Sequence, residues 1–133
     1  MRSRIIVVTL LVLAFLPLRA TTSVADPGTK WAIVQLTQPV LIGDSFVMGP
    51  VLFEHDDARM ARGEPCTVVY RFEKGKGATR PIASFHCKPR WDTTAPDRFS
   101  MVTGRTALGD CVLREYQFAG DTEAHGVPTA AEQ

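Results

Sequence analysis

Cys66-Thr67-Val68-Val69-Tyr70-Arg71-Phe72-Glu73-Lys74-Gly75-Lys76-Gly77-Ala78-Thr79-Arg80-Pro81-Ile82-Ala83-Ser84-Phe85-His86-Cys87 is the stretch whose reading decides the fold class of this chain. Its arms, Cys66–Phe72 and Pro81–Cys87, carry β-branched and aromatic residues, which suit a pleated, half-buried surface. The segment Glu73–Arg80 between them is rich in glycine and lysine and reads as the loop of a hairpin. With Phe72 opposite Pro81, Tyr70 faces Ala83, Val68 faces Phe85 and Cys66 faces Cys87. That register makes one face apolar and sets Thr67, Val69 and Arg71 against His86, Ser84 and Ile82 on the other; a one-residue slip would mix the two sets. It also makes Cys66 and Cys87 the disulfide candidate. Opposed Cβ atoms lie about 4.5–5.5 Å apart and a disulfide prefers about 3.8 Å, so a bridge requires a close pair. Reduced core cysteines are the alternative.

Just upstream, HDDARMARGEPC (His55–Cys66) concentrates reactive residue types. The run DARMAR behind Asp56 and Asp57 reads as one helical turn with an Asp cap, Met60 folded onto the core and the arginines paired with local carboxylates. Further out, no apolar period of 3.6 residues persists for three turns. Short apolar or alternating runs occur instead at Trp31–Leu36, Val40–Ile42, Ser45–Glu54, Phe99–Thr103 and Cys111–Phe118. Gly43-Asp44 reads as a hairpin turn. Gly49-Pro50 makes Val51–Glu54 an edge, or a strand that starts anew after a bulge. The expectation is an all-β domain: a small antiparallel sandwich or partly closed barrel of six or seven strands. KPRWDTTAPD (Lys88–Asp97) reads as a surface loop. The alternation after Cys111 leaves both strand faces mixed, and residues 129–133 read as a frayed tail.

The first 25 residues have the layout of a secretory signal: Arg2 and Arg4, an apolar run from Ile5 to Leu18, and a small-residue end at Ala25. The predicted organisation is a signal peptide at 1–25 and a single β-domain at 26–128, secreted or periplasmic, with no stable membrane anchor after cleavage. Without Arg2, Arg4 and Arg19, 12 basic residues remain of 15 against 14 acidic, about −2 with neutral histidines. No concentrated basic surface is present for nucleic acid. Three cysteines permit one disulfide and a leftover thiol, or a metal site that uses some of them.

His55, His86 and His125 all fall at predicted strand ends or turns. Imidazole, carboxylate and thiolate are the usual ligands of zinc and copper, so a metal candidate set is His55, Asp56, His86, Asp121 and His125. No spacing places two of the histidines on one element. A blue-copper site fails because no histidine follows Cys111 until His125 and no methionine follows Met101. Cys–His catalysis is not supported by His86-Cys87, since neighbours on a strand point to opposite faces. Asp56-Asp57 is a solvated turn rather than an acid/base pair. No catalytic residue is assigned.

The blocks TQPVLIGDSFVMGPVLFEHDDARMARGEPCTVVYRF, SFHCKP and EYQFAGDTEAHGVP resemble a group of short exported bacterial proteins of the acidobacterial type, over Gln38 to Pro128. Gly49-Pro50-Val51 departs from the Gly-Tyr or Gly-x-Tyr of a wider set of small secreted β-proteins. The resemblance implies an exported all-β domain and no substrate. The resulting expectation is a non-enzymatic structural or binding module of the cell envelope, with no cofactor and with an envelope protein or small ligand as partner. The alternative is a zinc- or copper-binding protein that uses His55, His86 and His125.

Overall fold

The computed structural model describes residues 28–91 and 94–132; the leader expected at 1–25 lies outside them. In chain order come β1 (Thr29–Ile42), β2 (Ser45–Asp56), the helical turn α1 (Asp57–Ala61), β3 (Thr67–Glu73), β4 (Gly77–Phe85), β5 (Lys88–Trp91), β6 (Ser100–Arg105), β7 (Cys111–Gln117) and β8 (Glu123–Gly126). They form one sheet in the order β4-β3-β2-β1-β7-β8-β5, with β6 on the other edge of β7. The sheet curls into a half-barrel. The all-β expectation therefore holds, in its partly closed form: among the described residues seven strands make the ordered path and β6 pairs beside it. Among the described residues all pairings are antiparallel except β1 with β7, which meet in parallel at Leu41 and Val112.

Trp31–Leu36 and Val40–Ile42, expected as two strands, are one. Leu36 pairs with Gly49 and Val40 with Val47, so two extra residues bulge out of β1 around Pro39. Opposite them Gly49 takes φ 89, a left-handed conformation that a side chain would strain. Pro50 lies inside β2, opposite Gln35, and the β3 ladder begins one residue later at Val51–Arg71. The missing proline donor is therefore not required by β3, and Val51–Glu54 is an interior segment rather than an edge.

The β3–β4 register differs by one residue from the sequence expectation. Thr67 pairs with Phe85 and Val69 with Ala83, and bulges then bring Tyr70 opposite Pro81 and Phe72 opposite Ala78. The core face is thus Thr67, Val69, Ala83 and Phe85, all buried. Thr67 can face inward because its hydroxyl shares a hydrogen bond with the buried Tyr116 hydroxyl. A satisfied polar group removes the penalty that argued for the other register.

β7 shows why its faces looked mixed. Thr103 pairs with Leu113 but Val102 with Glu115, so Arg114 is an extra residue that switches the alternation. Leu113, Tyr116 and Phe118 all point inward as a result. The Arg114 carbonyl accepts from Val127 N–H at 2.8 Å, so the bulge leaves no orphan there. The first residues of the expected 88–97 loop form β5, an edge strand whose Lys88, Pro89 and Arg90 are the residue types that discourage further pairing. Residues 130–132 make a 3-10 turn in which Glu132 accepts from Thr129 and pairs with Lys88.

The core fills the concave side. Val47, Val51, Phe53, Val69, Phe85, Ile42 and Leu113 are fully buried, each contributing roughly 1.5–3 kcal/mol. That outweighs the exposed ion pairs, such as Arg62–Glu64 at 2.9 Å, whose attraction is screened by solvent. Ring contacts run from Phe53 to Tyr116 (5.4 Å), from Tyr116 to His125 (5.0 Å) and from His125 to His55 (4.3 Å), leading from the core into the site.

Candidate metal centre

His55 comes from the end of β2. Val51, Phe53 and His55 share the inner face by the two-residue period, and all three are completely buried. The chain then turns through α1. Asp56 is the N-cap, its carboxylate accepting from Ala58 N–H at 2.8 Å and Arg59 N–H at 3.3 Å. Gly63, at φ 73, ends the turn: its N–H donates to Met60 and Glu64 N–H to Arg59, the paired bonds of a Schellman stop. The predicted helical turn is thus present. Arg59 pairs with Glu54 and Asp56 as expected, whereas Met60 is exposed rather than folded onto the core.

Asp57, the first residue of the turn, reaches back so that its Oδ1 lies 2.8 Å from His55 Nε2. A carboxylate only accepts, so Nε2–H donates and Nδ1 faces Cys87 Sγ at 3.7 Å. Burial opposes the His55 charge, but hydrogen bonds to Cys66 and Asp57 outweigh it and raise the pKa. Cys66 and Cys87 lie just outside the last β3–β4 rung, Thr67–Phe85, where the ladder no longer fixes side-chain direction. Both are free thiols and both turn inward. Their sulfurs are 2.6 Å apart, and Cys87 N–H donates to Cys66 Sγ at 3.1 Å. The hydrogen bond from Cys87 holds the Cys66 thiol below its usual range, and the same bond holds Cys87 above it.

His125 arrives on β8, opposite Tyr116 of β7 and Pro89 of β5. It is completely buried, and neither ring nitrogen has a hydrogen-bond partner among the described residues. Burial, reinforced by the nearby His55 charge, pushes its pKa down to about 4, leaving a neutral ring with a free lone pair. Donor atoms of His55, Cys87 and His125 all lie within 4.8 Å of one another, and so do those of Asp121, Glu123 and His125. In the second group Asp121 is bound to Lys30 at 2.6 Å and accepts from Glu123 N–H, and burial raises the Glu123 carboxyl.

Of the residues singled out from sequence, His55 and His125 meet. The disulfide candidates Cys66 and Cys87 meet at the same point, beyond the ladder rather than as opposed rungs. His86 is exposed, on the side opposite to Cys87, so the three-histidine set is reduced to two. The Asp56 carboxylate is held by the cap, and Asp121 is near His125 but paired with a lysine. Glu123 is absent from the candidate set read from the sequence, and a thiol enters that reading without a position. The signal for Cys87 was present: consecutive strands joined by a short corner pair, and His55 does pair with Thr67, next to Cys66. Comparisons with protein-family models, curated proteins and solved structures return no match.

Proposed function

We propose that this protein is a non-catalytic metal-binding domain that takes one zinc or Cu(I) ion between His55 Nδ1, Cys87 Sγ and His125, with Cys66 Sγ as the fourth donor. The observation that carries the reading is the His125 ring: completely buried, without a hydrogen bond, and packed against an imidazole and a thiol. An unsatisfied buried polar group costs about 1–3 kcal/mol, and an ion supplies the missing partner. The Asp57–His55 bond supports the same reading, because a ligating histidine commonly gives its other N–H to a carboxylate.

Thiolate with imidazole is a donor set that suits zinc and Cu(I). Zinc bonds of about 2.0–2.1 Å to nitrogen and 2.3 Å to sulfur place donors roughly 3.3–3.8 Å apart. The 4.8 Å spread therefore has to close by about 1 Å, within reach of small side-chain rotations. With four protein donors and two fully buried histidines, no position is left for a substrate. An Asp57–His55–Cys87 triad for nucleophilic chemistry is the competing reading. It leaves His125 unexplained and puts the Cys87 sulfur against Cys66 rather than a reactant.

The leader pattern makes the proposed setting an exported one. The test uses untagged, reduced, chelator-stripped protein titrated anaerobically with zinc, and with cobalt(II) as a spectroscopic substitute. One equivalent and a thiolate-to-cobalt charge-transfer band are expected, with at least tenfold weaker binding in a folded His125→Ala variant. No stoichiometric uptake, or unchanged affinity in that variant, overturns the proposal.

A further inference from the structure

We infer that Cys66 and Cys87 form a dithiol–disulfide switch that empties the metal centre when oxidised. The inference rests on the metal reading above and concerns its regulation. The two sulfurs touch each other and the ligand histidine at once: Cys87 Sγ is against Cys66 Sγ and 3.7 Å from His55 Nδ1. A tetrahedral ion holds two thiolates apart, at roughly 3.8 Å for zinc–sulfur bonds of about 2.3 Å, whereas a disulfide joins them at about 2.04 Å. The two states exclude each other, and oxidation removes the sulfur donors from the site.

The route to Cys87 is visible. It lines a cavity of about 340 Å³ with Pro65, Phe85, His86, Lys88 and Pro128, open to the surface beside β4 and β5. Cys87 is 8% exposed and Cys66 1%, so Cys87 is the sulfur an external disulfide meets first. The oxidant class is a small or protein disulfide, RSSR. In the zinc-loaded protein Cys87 is already a thiolate; it attacks one of the RSSR sulfurs, forming a Cys87–SR mixed disulfide and expelling RS⁻. The Cys66 thiolate then attacks Cys87 Sγ, forming the Cys66–Cys87 bond and expelling a second RS⁻. The two protein thiolates, which carry no protons while they hold the ion, lose two electrons and RSSR gains them; the two RS⁻ groups leave as thiolates and take their protons from solvent. The metal leaves as a free ion with its charge unchanged.

The experiment uses Cys111→Ala protein, so that only this pair can link, loaded with zinc and treated with oxidised glutathione. Peptide mass spectrometry follows the link and elemental analysis follows the metal. Zinc falling from one equivalent to none as the Cys66–Cys87 link forms, with both changes reversed by dithiothreitol, is the expected result. In Cys66→Ser protein the reaction stops at one glutathione attached to Cys87. Zinc retained in the linked protein, or no link formed, overturns the switch while leaving the metal reading intact. Reduced protein that never takes up zinc overturns the metal reading, and the switch falls with it even where the link forms. Glutathione trapped on Cys66 in Cys87→Ser protein, and none on Cys87 in Cys66→Ser protein, overturns the order of attack.

Discussion

Two histidines in this domain differ in what their nitrogens touch. His55 has an assigned proton, fixed by Asp57, while His125 has none. This asymmetry suits a pair of ligands in which one is pre-oriented and the other waits for the ion. Asp57→Asn keeps an oxygen against His55 but removes the charge that makes the imidazole a strong donor. Zinc affinity is expected to fall about 10–100-fold, the usual cost of losing an outer-shell carboxylate, read by competition with a chromophoric chelator; an unchanged affinity would show that Asp57 does not orient His55. At this scale the sequence revealed residue types but not directions. His55 and His125 were flagged as candidates, and so was His86, yet only burial distinguishes the last of these. His86 and Cys87 are neighbours on opposite sides, and that much the strand alternation did give. The inward position of Cys87 continues the alternation from Phe85 and agrees with the sequence reading, whereas Cys66 is buried beside the inward Thr67 against alternation, because it lies beyond the last paired residue.

The elements the sequence hid are those that deliver His125. β8 is Glu-Ala-His-Gly, four residues with little strand propensity, held because β7 and β5 flank it. β5 contains proline and two basic residues and reads as a loop for the same reason that it serves as an edge. Long strands with β-branched or aromatic arms were legible. Their bulges were not, since one extra residue at Arg114 reverses the faces and two near Pro39 loop out of the ladder, neither with any local composition signal. The corner α1 was legible because capping is a local matter, and its cap offers a test. Asp56→Ala removes the acceptor for two backbone N–H groups and is expected to cost about 1 kcal/mol, seen as a lower urea midpoint with unchanged slope. Because the same cap positions Asp57, zinc binding should weaken as well. Arg62→Ala, which breaks only an exposed pair, should change neither. Equal effects of the two substitutions would remove the link drawn here between corner and site.

At the scale of the whole molecule, the centre joins three separated parts of the half-barrel: the β2–α1 corner with His55, the open end of the β3–β4 hairpin with both cysteines, and β8 with His125. Anything that ties these parts together in the folded state alone must add to global stability. Zinc at about 100 times its dissociation constant should raise unfolding free energy by about 2.7 kcal/mol. A Cys66–Cys87 disulfide, closing a loop of roughly twenty residues, should add about 3 kcal/mol by restricting the unfolded chain. The reduced, metal-free form is then the least stable of three, and the other two reach similar stability by mutually exclusive means. Urea midpoints measured at equal protein concentration should rank reduced apo-protein lowest, with zinc raising the reduced form and leaving the oxidised one where it is. A chelator should reverse the first shift only. If zinc raises the oxidised form as much as the reduced one, the ion does not depend on the cysteine sulfurs, and the donor set must be moved to His125 with Glu123 and Asp121, the neighbouring group that contains no thiol.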